Sequence, residues 1–205
     1  TETFQSYYPN SSFIERCPNL LCISSSGVGY DQVDVELCTD AGILVMNQAG
    51  ANSESVAQHT LGMMLVLSKQ MIQSDRAIRK SNRDWTRWTY MGHELTNRTI
   101  GLIGLGNIGR RVAQICRHIF DMRVIAFDPF IDDTVFLGSN AVKVSLAELM
   151  TESHFVSVHC PLSNSSRGMI GKEEFDLMRK DAIFISTARG GIHDEKALES
   201  ILALK

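Results

Sequence analysis

The hydrophobic positions of this 205-residue chain fall into short apolar runs that alternate with stretches of helical spacing. Residues 20–24 (LLCIS) read as a buried strand. A short helix entered through Asp34 stops at Gly42, a residue suited to a helix C-terminus, and residues 43–46 form a second strand. A long helix is predicted over residues 53–80, with Val56, Thr60, Met63, Met64, Leu67 and Met71 on one face. That methionine-rich stripe reads as core or domain-interface packing, because a period near 3.6 mainly reports burial. Residues 81–97, with Trp85, Trp88 and Tyr90, show no clear period and read as a connector. The pattern then sharpens. Thr99–Ile103 has strand length, Ile108, Val112, Ile115, Cys116 and Ile119 recur at helical spacing, and residues 124–127 form another apolar run. Residues 129–141 read as irregular, 142–144 as a short strand, and Ser145 with Glu148 as a capping box opening a short helix. A strand at 155–158, a helix at 171–178, a strand at 182–186 and a last helix capped by Asp194 complete the series. Strands alternating with helices predict an α/β fold on a doubly wound parallel sheet, where ligands gather at the carboxyl ends of the strands.

One stretch of this pattern carries chemistry. The strand ending at Ile103 runs into Gly104-x-Gly106-x-x-Gly109, a helix follows, and the next strand ends on Asp128, nineteen residues after Gly109. Strand, glycine turn, helix, strand and acid together are the context a dinucleotide-binding fingerprint requires. Gly104 permits the tight turn, Gly106 leaves room for a pyrophosphate at the backbone, and Gly109 lets the helix lie close to the sheet. The helix beginning near Asn107 points its N–H groups and positive dipole end toward that phosphate. Asp128 is suited to accept hydrogen bonds from the adenosine ribose. A 2′-phosphate would meet its carboxylate, and Pro129 rather than an arginine follows, so NAD is expected over NADP. Gly106, Asp128, His159 and Arg189 all lie just beyond predicted strands, which points to one shared site.

Composition narrows the classes. With 44% hydrophobic and 21% charged residues the chain is ordinary and globular, and a net charge of −3 without a basic block argues against nucleic acid as a partner. The best apolar run, residues 61–67, is too short to span a membrane, and there is no signal-peptide pattern. Five scattered cysteines, Cys17, Cys22, Cys38, Cys116 and Cys160, form no C-x-x-C pair, so no metal site is expected and a reducing, cytoplasmic setting is the expectation.

Several segments together resemble the D-isomer-specific 2-hydroxyacid dehydrogenases. They are residues 27–34 (GVGYDQVD), 42–47 (GILVMN), the glycine fingerprint with Asp128, 158–162 (VHCPL) and 185–195 (ISTARGGIHDE), in the family's order from about residue 17 onward. Residues 91–95 (MGHEL) are similar to the phosphoglycerate dehydrogenase branch. The resemblance implies a Rossmann-type NAD domain over residues 96–205, lacking its C-terminal part. It also implies part of a flavodoxin-like α/β substrate domain over residues 1–95, with the long helix between domains. By position, Arg189 matches the catalytic arginine that holds the substrate carboxylate and polarises the reacting oxygen. Its fork binds carboxylates bidentately and keeps its charge. The resemblance places the backbone amides of Val28 and Gly29 on the same carboxylate. It places Gly104, Gly106, Asn107, Ile108 and Gly109 on the pyrophosphate, and Asp128 on the ribose. His159, Cys160 and Pro161 then line the adenosine side, Thr187 and Ala188 the nicotinamide, and Gln48 a coenzyme contact.

The implied activity is interconversion of a small D-2-hydroxy acid and its 2-oxo acid with NAD, in a cytoplasmic homodimer that binds neither membrane nor nucleic acid. A rival expectation is an NAD(H)-sensing corepressor-like protein of the same fold. His59, His118, His154 and His193 match no functional position and are expected to be structural or exposed. The family's catalytic glutamate and histidine lie downstream of Arg189, past Lys205, so the 205 residues alone are expected to be nearly inactive.

Overall fold

The computed structural model of the chain describes residues 10–80 and 85–203. Its contacts divide it into two compact units, Thr1–Asn52 and Ser53–Lys205. In the first, α1 (Ser11–Glu15) precedes β1 (Cys22–Ser24), α2 (Val35–Asp40) and β2 (Leu44–Met46). The Asp34 carboxylate accepts the Leu37 N–H at 2.9 Å to start α2, and Gly42, at φ +70°, ends it. β1 and β2 run parallel. The strand expected to be buried is not: Leu21 is 79% exposed and Ile23 alone of β1 is half-buried, because two paired three-residue strands cover little surface.

The second unit opens with α3 (Ser53–Ser68) and α4 (Met71–Arg79). The single helix expected over 53–80 is thus broken, at Gln70, which sits at φ +51°. Two bonds at the break come from residues 91–93: His93 N–H to the Ser68 carbonyl at 2.8 Å and Gln70 Nε2 to the Met91 carbonyl at 2.9 Å. The buried face of α3 is Ala57, Thr60, Leu61, Met64 and Ser68, so Leu67 and Met71 of the expected stripe are exposed. Small residues are buried because α3 lies along α5 (Asn107–Phe120), which groups residues 53–95 with the second unit. Glu54 pairs with Arg111 of α5 at 2.5 Å, and Gln58 Nε2 donates to Glu54 at 2.9 Å. The connector is described from Trp85 onward and has neither helix nor strand up to β3 (Thr99–Ile103); residues 81–84 lie outside the described residues.

After β3 and α5 come β4 (Arg123–Phe127), α6 (Asp133–Gly138), β5 (Val142–Lys143), α7 (Leu146–Glu152), β6 (Phe155–Val158), α8 (Lys172–Leu177), β7 (Ile183–Ser186) and α9 (Glu195–Leu202). α6 occupies part of the stretch expected to be irregular and buries Phe136. The Ser145–Glu148 capping box and the Asp194 cap form as expected. The five strands are parallel in the order β5-β4-β3-β6-β7. Alternate residues serve the two faces. Ile100, Leu102, Val124, Ala126, Phe155 and Ile185 join the core beneath α3 and α5, while Ile103, Ile125, Val156 and Val158 join the one beneath α7 and α8. A sheet covered on both faces explains why its strands read as unbroken apolar runs.

Candidate functional site

The strand order places β4, β3, β6 and β7 side by side, so Asp128, the glycine turn, His159 and the 187–189 turn all leave the same carboxyl edge. Asp128 and Thr187 are three strand spacings apart, about 14 Å. Hydrogen bonds tie each tip to the next. Gly104 N–H donates to the Phe127 carbonyl at 2.9 Å, and His159 N–H to the Ile103 carbonyl at 2.8 Å. The Asp128 carboxylate accepts the Leu105 N–H at 2.9 Å through Oδ2 and the Phe130 N–H at 3.0 Å through Oδ1. The acid is therefore held rigidly against the turn it was expected to accompany. The strand order reverses at β3, where one neighbour leads outward to β5 and the other to β7, and doubly wound folds take their ligands at such a switch point.

The three glycines differ in what surrounds them. Gly104 is at φ +94°, and a Cβ there would lie 2.7 Å from the Cys160 nitrogen. A Cβ at Gly109 would meet the Gly104 carbonyl oxygen at 2.2 Å. At Gly106 a Cβ would meet nothing within 4 Å. Protein atoms thus explain Gly104 and Gly109 but leave open space at Gly106. Beside that space, α5 starts without a side-chain cap, and Arg110 at its first turn is held by the Asn107 side chain at 2.7 Å. Uncapped N–H groups at Asn107 and Ile108, the helix dipole and room at Gly106 make a cradle that fits an anionic phosphate.

His159 is held between two hydroxyls: Nε2 meets Ser157 Oγ at 2.9 Å and Nδ1 meets Thr187 Oγ1 at 3.4 Å. Burial pushes its pKa down to about 4, so the ring is neutral near pH 7. Burial pushes the neighbouring Cys160 thiol up to about 11, with the Asp128 carboxylate acting in the same direction. That thiol is no nucleophile at neutral pH. Pro161 follows on the exposed side, and its carbonyl accepts from Ser166 Oγ at 2.6 Å. Thr187 and Ala188 are half-buried, whereas Arg189 is exposed, one of its guanidinium N–H groups donating to the Ala188 carbonyl at 3.1 Å. The structure thus brings together on one edge Gly104, Gly106, Asn107, Ile108, Gly109, Asp128, His159, Cys160, Thr187, Ala188 and Arg189.

Val28, Gly29 and Gln48 belong to the first unit. Their loops meet there: Asn47 Nδ2 donates to the Val28 carbonyl at 2.9 Å, Gln48 N–H to the Gly27 carbonyl at 3.0 Å, and Ser25 Oγ to the Gly29 carbonyl at 2.8 Å. The carbonyls of Val28 and Gly29 are occupied by these bonds, a geometry that fixes the turn carrying their N–H groups.

Sequence reasoning missed Ser157. A hydroxyl inside a fully buried four-residue strand is a signal that could have found it, since a buried polar group demands a partner. Leu105 was missed as well; its contribution comes from the backbone and leaves no trace in residue type. Among the histidines set aside, His154 accepts the Thr99 N–H at 3.1 Å, and His193 packs edge-on against Phe184.

Comparison with known proteins agrees with this architecture. A family model described as "D-isomer specific 2-hydroxyacid dehydrogenase, NAD binding domain" matches residues 61–205. A D-3-phosphoglycerate dehydrogenase of Methanocaldococcus jannaschii is 38% identical over 92% of this chain and 36% of its own length. A hydroxypyruvate reductase of Thermotoga maritima is 37% identical over 92% of this chain and 60% of its own length. The crystal structure of a D-lactate dehydrogenase from Aquifex aeolicus, complexed with NAD and lactic acid, superposes with a TM-score of 0.86. It is 33% identical and covers 95% of this chain and 58% of that one. The chain thus spans 36–60% of the length of these proteins.

Proposed function

The chain belongs to the D-isomer specific 2-hydroxyacid dehydrogenase family, and from that premise we propose that its protein interconverts a small D-2-hydroxy acid and the matching 2-oxo acid. NAD, when bound, supplies the hydride acceptor or donor. The N–H groups of Asn107 and Ile108, beside the open space at Gly106, hold the pyrophosphate. Asp128 accepts from the adenosine ribose and disfavours a 2′-phosphate. His159, Cys160 and Pro161 border the adenosine side, and Thr187 and Ala188 the nicotinamide. Arg189 is the catalytic residue: its fork takes the substrate carboxylate and polarises the oxygen at the reacting carbon. In the first unit, the N–H groups of Val28 and Gly29 serve a substrate carboxylate, and Gln48 a coenzyme contact.

The observation that carries this reading is the hydrogen-bonded row of strand tips, with Asp128 at one end and the arginine turn at the other. The protein acts as a homodimer in the cytoplasm. Exposed Met71, Ile72, Ile78, Trp85 and Trp88 support the first statement, and five free cysteines the second. No helix among the described residues is long and apolar enough to cross a membrane.

The test is NADH oxidation by the full-length protein across a panel of 2-oxo acids, phosphorylated and not, beside NADH binding followed by fluorescence. Turnover of at least one 2-oxo acid, with NADH bound more tightly than NADPH, is expected. NADH binding without turnover of any of them would remove the enzymatic reading.

A further inference from the structure

His159 was expected only to line the coenzyme, yet its two ends are attached to different parts of the site. Its backbone N–H is bonded to Ile103, the last residue before the glycine turn, at 2.8 Å. The following peptide lies so close to that turn that a Cβ at Gly104 would stand 2.7 Å from the Cys160 nitrogen and 2.9 Å from the His159 carbonyl carbon. The ring points toward the neighbouring strand, where Nδ1 meets Thr187 Oγ1 at 3.4 Å. Ser157, fully buried within β6, fixes the other ring nitrogen at 2.9 Å and so sets the ring's orientation. Thr187 stands two residues before Arg189.

We propose that His159 is a positioning residue that links the phosphate-holding turn to the arginine-bearing turn. Seating of the coenzyme phosphates is passed through the His159 backbone and ring to Thr187, so that Arg189 is set before substrate arrives. The proposal rests on the nucleotide-binding role given above to residues 104–109. The physical basis is a serial connection. Any shift of the Gly104 turn moves residues 159 and 160 because no free space separates them, and a ring anchored at both nitrogens cannot absorb that shift by rotating. A neutral imidazole serves because each flanking hydroxyl can either donate or accept, which satisfies both ring nitrogens. Burial keeps the ring in that state at neutral pH.

The decisive probe is ADP, which carries phosphates and adenosine but no nicotinamide, and so has no group to place on residues 187–191. Amide hydrogen exchange is followed in the protein with and without ADP, α5 serving as internal reference. In the parent protein ADP should slow exchange both at 104–109 and at 187–191. In Thr187→Val the protection at 104–109 should persist, while that at 187–191 falls about five- to tenfold, the effect of one neutral hydrogen bond. Thr187→Ser should restore it, and Ser157→Ala, which frees the ring at its other end, should act in the same direction as Thr187→Val. In turnover, Thr187→Val should lower kcat more than it raises KM for NADH. Equal ADP protection of 187–191 in the parent and Thr187→Val would overturn the proposal, as would an ADP effect confined to 104–109 in the parent. Failure of ADP to protect 104–109 would instead overturn the nucleotide-binding reading. The ligand-free comparison then decides whether the link exists: faster exchange at 187–191 in Thr187→Val supports it, and no change removes it.

Discussion

Strand β6 carries a histidine at each end, and the two are treated differently. At the amino edge, His154 is half-buried and accepts the Thr99 N–H. Burial and the nearby Arg179 and Arg98 lower its pKa, while Asp181 pulls the other way. Its surroundings are ion pairs, with Arg123 on Glu152 at 2.6 Å and Arg179 on Asp181 at 3.0 Å. At the carboxyl edge, His159 faces two hydroxyls, and burial alone lowers its pKa. At the amino edge the polar groups are paired with one another, around a cavity of about 110 Å³ lined by Arg98, His154 and Asp181 among others. The carboxyl edge leaves space at Gly106, an uncapped helix end and an exposed arginine. The two edges therefore differ in how far protein atoms satisfy their polar groups, and the proposed function places the ligands at the carboxyl edge. Substitution of Gly106, where protein atoms leave open space, or of the exposed Arg189 should lower function without stability, whereas substitution of groups held by protein contacts, such as Gly109 and His154, should lower stability.

The sharpest break of that contrast would come from Arg189→Ala. It should lower kcat/KM for a 2-oxo acid by roughly 10³-fold with an unchanged melting temperature, as expected for a preorganised charge on the reacting oxygen. A loss below tenfold in steady-state NADH oxidation would take the catalytic role away from this residue. Next comes the pair Gly109→Ala and Gly106→Ala. The first forces a methyl to 2.2 Å from the Gly104 oxygen and should destabilise by about 3 kcal/mol in urea titration. The second should melt like the parent and yet bind NADH at least about tenfold more weakly, since the only thing its methyl meets is the phosphate. Comparable melting loss in both would mean that Gly106 is structural.

Acid should expose the histidine difference. The unfolded chain protonates His159 below pH 6.5, whereas the folded chain takes that proton only near pH 4. Stability is therefore complete above pH 6.5 and declines as pH falls through this window, by up to about 3 kcal/mol from this residue. His154, also lowered, contributes in the same direction. Urea melts between pH 7 and pH 4.5 should show a shallower slope in His159→Gln than in the parent. Asp128→Asn should weaken NADH binding about tenfold and narrow the preference over NADPH, read by fluorescence titration. The smallest effect is expected at the amino edge. His154→Leu leaves the Thr99 N–H without its side-chain acceptor and should cost about 1–2 kcal/mol of stability. Coenzyme affinity should stay at the parent value.

The nucleotide unit was legible because its signals are local. Strand, glycines, amphipathic helix and terminal acid follow one another within thirty residues, each specified by its own residue type. Three other features depend on distant parts of the chain. Gln70 carries no breaker signal, and its left-handed backbone coincides with bonds made by residues 91–93. The face of α3 was read in part: Thr60 and Met64 are buried as expected, but hydrophobicity favours the large Leu67, whereas close approach to α5 selects the small Ala57 and Ser68. α6, six residues long with Phe136 as its buried anchor, is too short for a period to register. In the site, residue types pointed to Asp128, His159 and Arg189, but not to the Leu105 and Ser157 groups that hold the first two in place.

The contact between Gly104 and Gly109 constrains how this turn can change over generations of mutation. The missing side chain of Gly109 is filled by the Gly104 main chain and that of Gly104 by the main chain of residues 159 and 160, so neither position has a tolerated single-step neighbour while the backbone beside it keeps its present course. A saturation library should recover departures at either site only with a rerouted loop, or not at all. Position 106 should drift freely once selection for nucleotide is lifted.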